Sequence, residues 1–406
     1  MAAILEASHV VIADFNFLLQ AVAWPLALLI AWFLAEWLQE RWHVPRVTSY
    51  VAVGLVGSLI NLPGLTNDIP GLAFLANIAL ALVLFELGYR INLRWFRHNP
   101  WVLLLGVLES LITFGVVYWA SGLFPLPLDQ RLIIAALSMS ASPAGVLRVA
   151  NELRSTGQAT ERVLHLCAIN CLMSVFALKL VVAYWTLSTS GDLALAAYGS
   201  VHVVGTSIAV GALLGMVVPW LLRLRNTHER GVTVVFALSV LLLTTAAYGL
   251  KLSPLLAALT FGIVARERRV ALTSAQRDFG TAGDLLSAFL FIYIASLLTW
   301  TDVRATILMG VVFIAVRTAS KVACNVALAR LSGITERKGA LTGLALTPMS
   351  AFAILLIEQT RLYGFEPAVQ VLAAMAGMML LQELLGPVVT QRALMAARET
   401  HVTKEG

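Results

Sequence analysis

The chain has 406 residues, 59% of them hydrophobic and 12% charged, with a mean hydropathy of +0.86. A soluble domain carries about a quarter charged residues, so this composition excludes an ordinary soluble globule and points to a lipid bilayer. The formal net charge of +6 would indicate nucleic acid in a soluble protein, but here the cations lie in loops between apolar runs, and no nucleic-acid partner is expected.

The opening segment, MAAILEASHVVIADFN, has no basic n-region and carries Glu6 and Asp14, so it does not read as a signal peptide. Apolar runs of roughly 20 residues, each long enough to cross the hydrocarbon core, then recur throughout. Thirteen crossings are predicted, at about 17–39, 47–62, 72–89, 100–124, 132–150, 163–187, 193–222, 232–250, 252–265, 281–299, 305–329, 339–357 and 367–391. Loops after the odd-numbered spans hold most of the cations, among them Arg41, Arg90, Arg94, Arg154, Arg223, Arg266 and Lys338. The opposite side holds only Arg131, Lys251, Arg304 and Arg361. Lys and Arg gather in cytoplasmic loops, so the amino end is expected outside and the carboxyl end in the cytoplasm.

Two spans carry proline inside polar sequence: Ser138-Met-Ser-Ala-Ser-Pro143 in the fifth and Leu346-Thr-Pro-Met-Ser350 in the twelfth. Proline removes a backbone donor and clashes with the preceding turn. Hydrocarbon offers nothing in exchange, so broken backbone at that depth must be surrounded by protein or line a watery cavity. The second and ninth spans also match, opening VPRVTSYVAVGLVG and KLSPLLAALTFGIV. Both pairs are seven spans apart, and an odd offset turns the second half upside down. The predicted fold is therefore an all-α polytopic membrane protein with two inverted six-helix repeats. Residues 17–187 and 232–391 form the repeats, 193–222 the linker helix and 392–406 a short tail. All 406 residues make one transmembrane domain in which two broken helices cross at mid-membrane.

Ionisable groups inside the membrane are functional candidates by default. Lys321 lies near the middle of the eleventh span, with Arg317 one turn earlier on a neighbouring face; Arg317 is read as a structural charge. Glu109 is the deepest acid, on the fourth span, which the repeat pairs with the eleventh, and is the expected counter-charge of Lys321. Asn170 and Cys171 follow the first break; the amide offers an acceptor for a cation or for stray N–H groups. Ser140, Ser142, Pro143, Thr347, Pro348 and Ser350 make up the breaks, where hydroxyls cap half-helices, line a cavity or bond back to the previous turn. Glu86 and Glu358 are expected near opposite interfaces, and Arg148 and Lys179 have stems long enough to reach an interface. Cys167, Cys171 and Cys324 are few and have neither metal nor disulfide spacing. With no Walker motif, HExxH or GxSxG, no enzyme, cofactor or metal site is expected.

The pieces VPRVTSYVAVGLVGSLINLPG, LALVLFELGYRINLRWF, LSMSASPAGVLRVANE, LSPLLAALTFGIVARE, the lysine at 321 and QELLGPVVTQRAL occur in this order over nearly the whole chain. Together they resemble the monovalent cation:proton antiporter superfamily, the sodium/hydrogen exchanger-like transporters, in particular its bacterial second branch. The resemblance implies a homodimer in the bacterial inner membrane, with a panel-like dimerisation part and a mobile core that gives alternating access. It implies protons and a monovalent cation, Na⁺ or K⁺, as partners, beside membrane lipid, and carries Lys321 over as a coupling residue. One position departs. Where the family usually has Asn-Asp or Asp-Asp after the first break, this chain has Asn170-Cys171, and Ala351 lies near the position of a glutamate often found after the second break. A thiol is a poor ligand for a hard cation, which makes Glu109 the expected stand-in acid. Two alternatives stay open: an anion or organic-acid transporter drawn by Lys321 and Arg317, and a non-transporting sensor on the same fold.

Overall fold

The first half of the chain forms α1 (Ala2–Trp42), α2 (Arg46–Leu59), α3 (Leu72–Arg90), a short α4 (Leu93–His98), α5 (Pro100–Ser121), α6 (Leu128–Ser138), α7 (Pro143–Glu152) and α8 (Gln158–Ser190). After α9 (Leu193–Leu224) come α10 (Glu229–Gly249), α11 (Pro254–Glu267), α12 (Gly280–Ser296), α13 (Trp300–Ala327), α14 (Glu336–Ala345), α15 (Ser350–Leu362) and α16 (Pro367–Ala396). This computed structural model describes residues 2–60, 65, 71–190, 193–224, 229–268, 279–362 and 367–400. Side chains are described from Val22 onward, apart from 189–190, 193–200, 229, 230, 280, 281, 350, 362 and 369. Among the described residues there is no strand.

Nine helices among the described residues are long and apolar enough to cross a membrane, with α6 and α7 taken together as one. Two shorter apolar helices, Arg46–Leu59 and Ala282–Ser296, accompany them. The chain is a multi-pass membrane protein. Helix α1 extends back to Ala2, beyond the apolar stretch Val22–Trp42 that is long enough to cross the membrane. Glu6 and Asp14 end an apolar run but do not end a helix, because an isolated acid costs a helix well under 1 kcal/mol.

The packing is reciprocal between the halves. Helix α3 packs on α11 and α12 packs on α2, the exchange of partners that a two-fold relation between repeats produces. The α3–α11 contact is close enough for backbones to touch. A Cβ at Gly88 would collide with the Leu259 carbonyl, and one at Gly262 with that of Phe85. Small residues allow such approach where water supplies no driving force between helices.

The remaining group surrounds the two breaks. Helix α5 packs on α6, α8 and α13, while α13 packs on α14 and α16. At the far end of this group, α16 stops at Ala396, Arg398 takes a left-handed conformation (φ 58°), and Glu399 turns back onto the start of α8. Its carboxylate accepts from the Ala159 and Thr160 N–H groups (3.0 and 2.9 Å), from the Thr160 hydroxyl (3.0 Å) and from Lys338 of α14 (3.0 Å). Burial works against its charge, but these donors at a helix N-terminus outweigh it and hold the Glu399 carboxyl below its ordinary range.

Candidate functional site

The two breaks touch. The backbone N–H of Ser142 donates to the Pro348 carbonyl at 2.6 Å. In the first break Ser142 caps α7, its hydroxyl accepting from Gly145 N–H (3.3 Å), and Pro143 opens the helix where a missing N–H costs nothing. The Ser140 and Thr347 hydroxyls bond back to the Leu137 and Leu344 carbonyls (2.7 and 2.5 Å). The side chain of Ser350 lies outside the described residues, although its backbone opens α15.

Each break leaves the last carbonyls of one half-helix unpaired, and one side chain takes up both sets. Arg317, fully buried on α13, donates to the carbonyls of Ser138 (2.9 Å) and Ser140 in the first break. It also reaches those of Thr347 (2.6 Å) and Leu346 (3.3 Å) in the second. A cation is favoured at a helix C-terminus, and here two such termini converge on one guanidinium.

Beside it stands an ion pair with no solvent exposure on either side chain, between Lys321 of α13 and Glu109 of α5. The Lys321 ammonium bonds the first oxygen of Glu109 and also donates to the Met139 carbonyl at 3.2 Å. The second Glu109 oxygen accepts from the Asn170 amide at 3.1 Å, and the Asn170 oxygen accepts in turn from the Ser110 hydroxyl at 2.9 Å. Cys171 donates its thiol to the Ala141 carbonyl at 3.2 Å, and Ser174, one turn on, binds the Ala136 carbonyl at 2.9 Å. Thr113 and Ser320 join α5 to α13 at 3.0 Å. Desolvating an unpaired charge costs several kcal/mol, which is why each charged side chain here, Glu109, Lys321 and Arg317, is held by partners.

Glu109, Lys321, Arg317, Asn170, Cys171 and the two breaks are thus brought into one cluster. Sequence reasoning missed Ser110, Thr113, Ser174 and Ser320, whose spacing along their helices is the only signal they offer. Glu86 is buried and bonded to Arg90 (2.9 Å) and Asn151 (3.1 Å). Arg148 pairs with Asp284 at 2.7 Å and reaches the Gly283 carbonyl at 2.9 Å, joining α7 to α12. Glu358 is paired with Arg361 through both oxygens (2.6 and 2.7 Å). Beside Arg148 lies a cavity of about 980 Å³ between α1, α2, α7 and α12, walled by Trp32, Phe33, Arg46, Tyr50 and Asp284. Among the described residues no three His, Cys, Asp or Glu side chains converge to hold a metal ion.

Two solved structures of the sodium proton antiporter MjNhaP1 from Methanocaldococcus jannaschii share this architecture. The one at pH 8 superposes with a TM-score of 0.74 at 14% identity, covering 93% of this chain and 99% of that one. The second, from electron microscopy, gives 0.72 at 14% identity, covering 95% and 97%. At that identity the likeness is one of fold. The sequence itself matches the family described as sodium/hydrogen exchanger, transmembrane, over residues 26–396. A match over so much of the chain decides the matter: the protein belongs to the transmembrane sodium/hydrogen exchanger family.

Proposed function

We propose that the chain is a secondary transporter that exchanges protons for a monovalent cation by alternating access, with Glu109 and Lys321 as the coupling pair. The observation that carries this reading is the position of Glu109, whose two oxygens are shared between Lys321 and Asn170 beside the crossing of the broken helices. The carboxylate that Cys171 does not supply arrives from a different helix. A cation entering the cluster takes the Glu109 oxygen from Lys321, and the amide oxygen of Asn170 and the carbonyls of Met139 and Ala141 are further hard ligands within the same cluster. Lys321, its counter-charge gone and its surroundings dry, releases its proton. On the other side the cation leaves, a proton returns to Lys321, and the pair closes again. Family membership supports the same reading, as does the antiporter named among the structures of like fold.

In this reading the chain crosses the bacterial inner membrane thirteen times, amino end outside and carboxyl end inside, as a homodimer. The anion alternative draws little from the geometry. Arg317 spends its donors on carbonyls and Lys321 is neutralised by Glu109, so neither stands open to an anion. The test is proton flux in proteoliposomes under an imposed pH gradient, with Li⁺, Na⁺, K⁺ and Rb⁺ added in turn. At least one of them collapses the gradient; silence with all four rejects exchange of alkali cations.

A further inference from the structure

The cavity of about 980 Å³ beside Arg148 contains none of the residues of the coupling pair or of the two breaks. Four helices bring ends to it on one side of the membrane. Helix α1 runs on past it to Trp42, Arg46 opens α2, Glu152 closes α7, and Asp284 lies in the first turns of α12. Trp37 and Trp42 are exposed on the last turns of α1. Tryptophan gathers where hydrocarbon meets the lipid headgroups, so the ionic end of the cavity lies at headgroup depth.

The cavity has two unlike walls. One is ionic and balanced in sign, with Arg46 and Arg148 against Glu152 and Asp284. Arg46 spends a terminal nitrogen on Glu36 (2.9 Å), and Arg148 spends its two on Asp284 (2.7 Å) and the Gly283 carbonyl (2.9 Å). The Nε of each arginine is buried and has no partner among the described residues, although Arg148 as a whole is only 8% exposed. A guanidinium has five donors, and an orphaned one in dry surroundings calls for an acceptor. The Asp284 side chain remains 62% exposed in spite of its bond to Arg148. The other wall is apolar. Trp32, Phe33 and Leu285 line the cavity and are also exposed on the surface of the bundle, so the cavity opens sideways to lipid.

We propose that this cavity seats the head of a phospholipid carrying both a phosphate and a primary ammonium, its acyl chains lying along α1 past Trp32 and Phe33. The phosphate oxygens accept from Arg46 and Arg148, and the ammonium donates to Glu152 and Asp284. The balance of the ionic wall selects such a head. A head that is only anionic sets its phosphate against two carboxylates with nothing to offer them. A choline head has both charges, but its quaternary nitrogen has no N–H to donate. A soluble phosphate ester with the same head has no chain to cover the apolar wall. Helix α7 continues the first break, so the head joins that half-helix to α1, α2 and α12. The site does not rest on the exchange reading.

The experiment is native mass spectrometry of the purified full chain in detergent, titrated with phosphatidylethanolamine, phosphatidylcholine and phosphatidylglycerol of the same acyl chains. The expected result is one phosphatidylethanolamine per chain, held about 10-fold more tightly than either of the others, as charge-assisted hydrogen bonds unique to that head would give. Arg46→Gln and Glu152→Gln are each expected to erase the preference, and Trp32→Ala to weaken all three lipids alike. Leu308→Ala, on a helix that does not line the cavity, keeps the wild-type order. Thermal melts establish that each variant is folded. Equal affinities for the three lipids, or a preference for phosphatidylglycerol, overturn the proposal. So does a preference that survives both Arg46→Gln and Glu152→Gln. Displacement of the lipid by an equal concentration of free phosphoethanolamine also overturns it, since the apolar wall would then contribute nothing.

Discussion

The two breaks are alike in backbone and unlike in chemistry. Each interrupts a membrane crossing at a proline, each ends a half-helix with unpaired carbonyls, and each gives two of those carbonyls to Arg317. Beyond these the second break receives the Ser142 N–H on Pro348 and the Thr390 hydroxyl on Ala345, whereas the first receives ionisable groups: Lys321 donates to Met139, Cys171 donates to Ala141, and Glu109 and Asn170 stand beside it. The difference teaches that the repeat supplies the crossing geometry twice, whereas the ionisable groups are gathered on one side of it. In the proposed exchange the first break is the reactive half. The second is its support.

The sharpest way to break this comparison is to remove what the halves share. Arg317→Met leaves carbonyls unpaired in both breaks, at about 1–3 kcal/mol for each buried acceptor. The detergent-solubilised variant is expected to melt far below wild type or not to accumulate at all, with Arg317→Lys in between. A melting temperature within a few degrees of wild type would mean that the breaks hold themselves open without it.

Removing what only the first break has comes next. Glu109→Leu or Lys321→Met strands one buried charge, and breaking such a pair costs about 3–5 kcal/mol. The double variant Glu109→Leu/Lys321→Met strands neither and is expected to regain most of that stability. Melts of the four proteins give the coupling between the two residues directly, and additive losses would show that they do not act as a pair.

Two smaller effects sharpen the picture. Ser142→Ala deletes the cap on α7 and is expected to cost about 1 kcal/mol, read as a lower melting temperature with little change in the second break's protection from hydrogen exchange. Glu399→Gln loosens the far end, where the tail ties α8 to Lys338 of α14. Because the folded protein holds this carboxyl below its unfolded value, the contribution is present above about pH 4.5 and fades as pH falls through the folded value. The variant should lose about 0.5–1 kcal/mol at neutral pH and nothing further in acid. Equal pH slopes for the two proteins would contradict the clasp.

Much of this was legible in the chain itself. A proline among serines and threonines inside an apolar run has few physical readings, and both breaks are where those residues stand. Glu109 and Lys321 were matched by depth and by the offset of the repeat, since unpaired charges at equal depth in adjacent spans seek each other. Arg317 was harder. Its spacing from Lys321 gives a neighbouring face, but only the collapsed geometry of two breaks lets one guanidinium serve four carbonyls. Glu399 gave no signal, because a glutamate in a short polar tail looks like any solvated acid until the chain turns back at Arg398. How far α1 runs before its crossing was not legible, because charge ends an apolar run without ending a helix.

The central claim is that exchange passes through the Glu109–Lys321 pair beside the first break. Its most direct test is cation-evoked proton flux in proteoliposomes holding the folded Glu109→Leu/Lys321→Met protein beside wild type. Flux in wild type and none in the double variant, at equal incorporation and thermal stability, is the result predicted. Undiminished flux without either charge would contradict it.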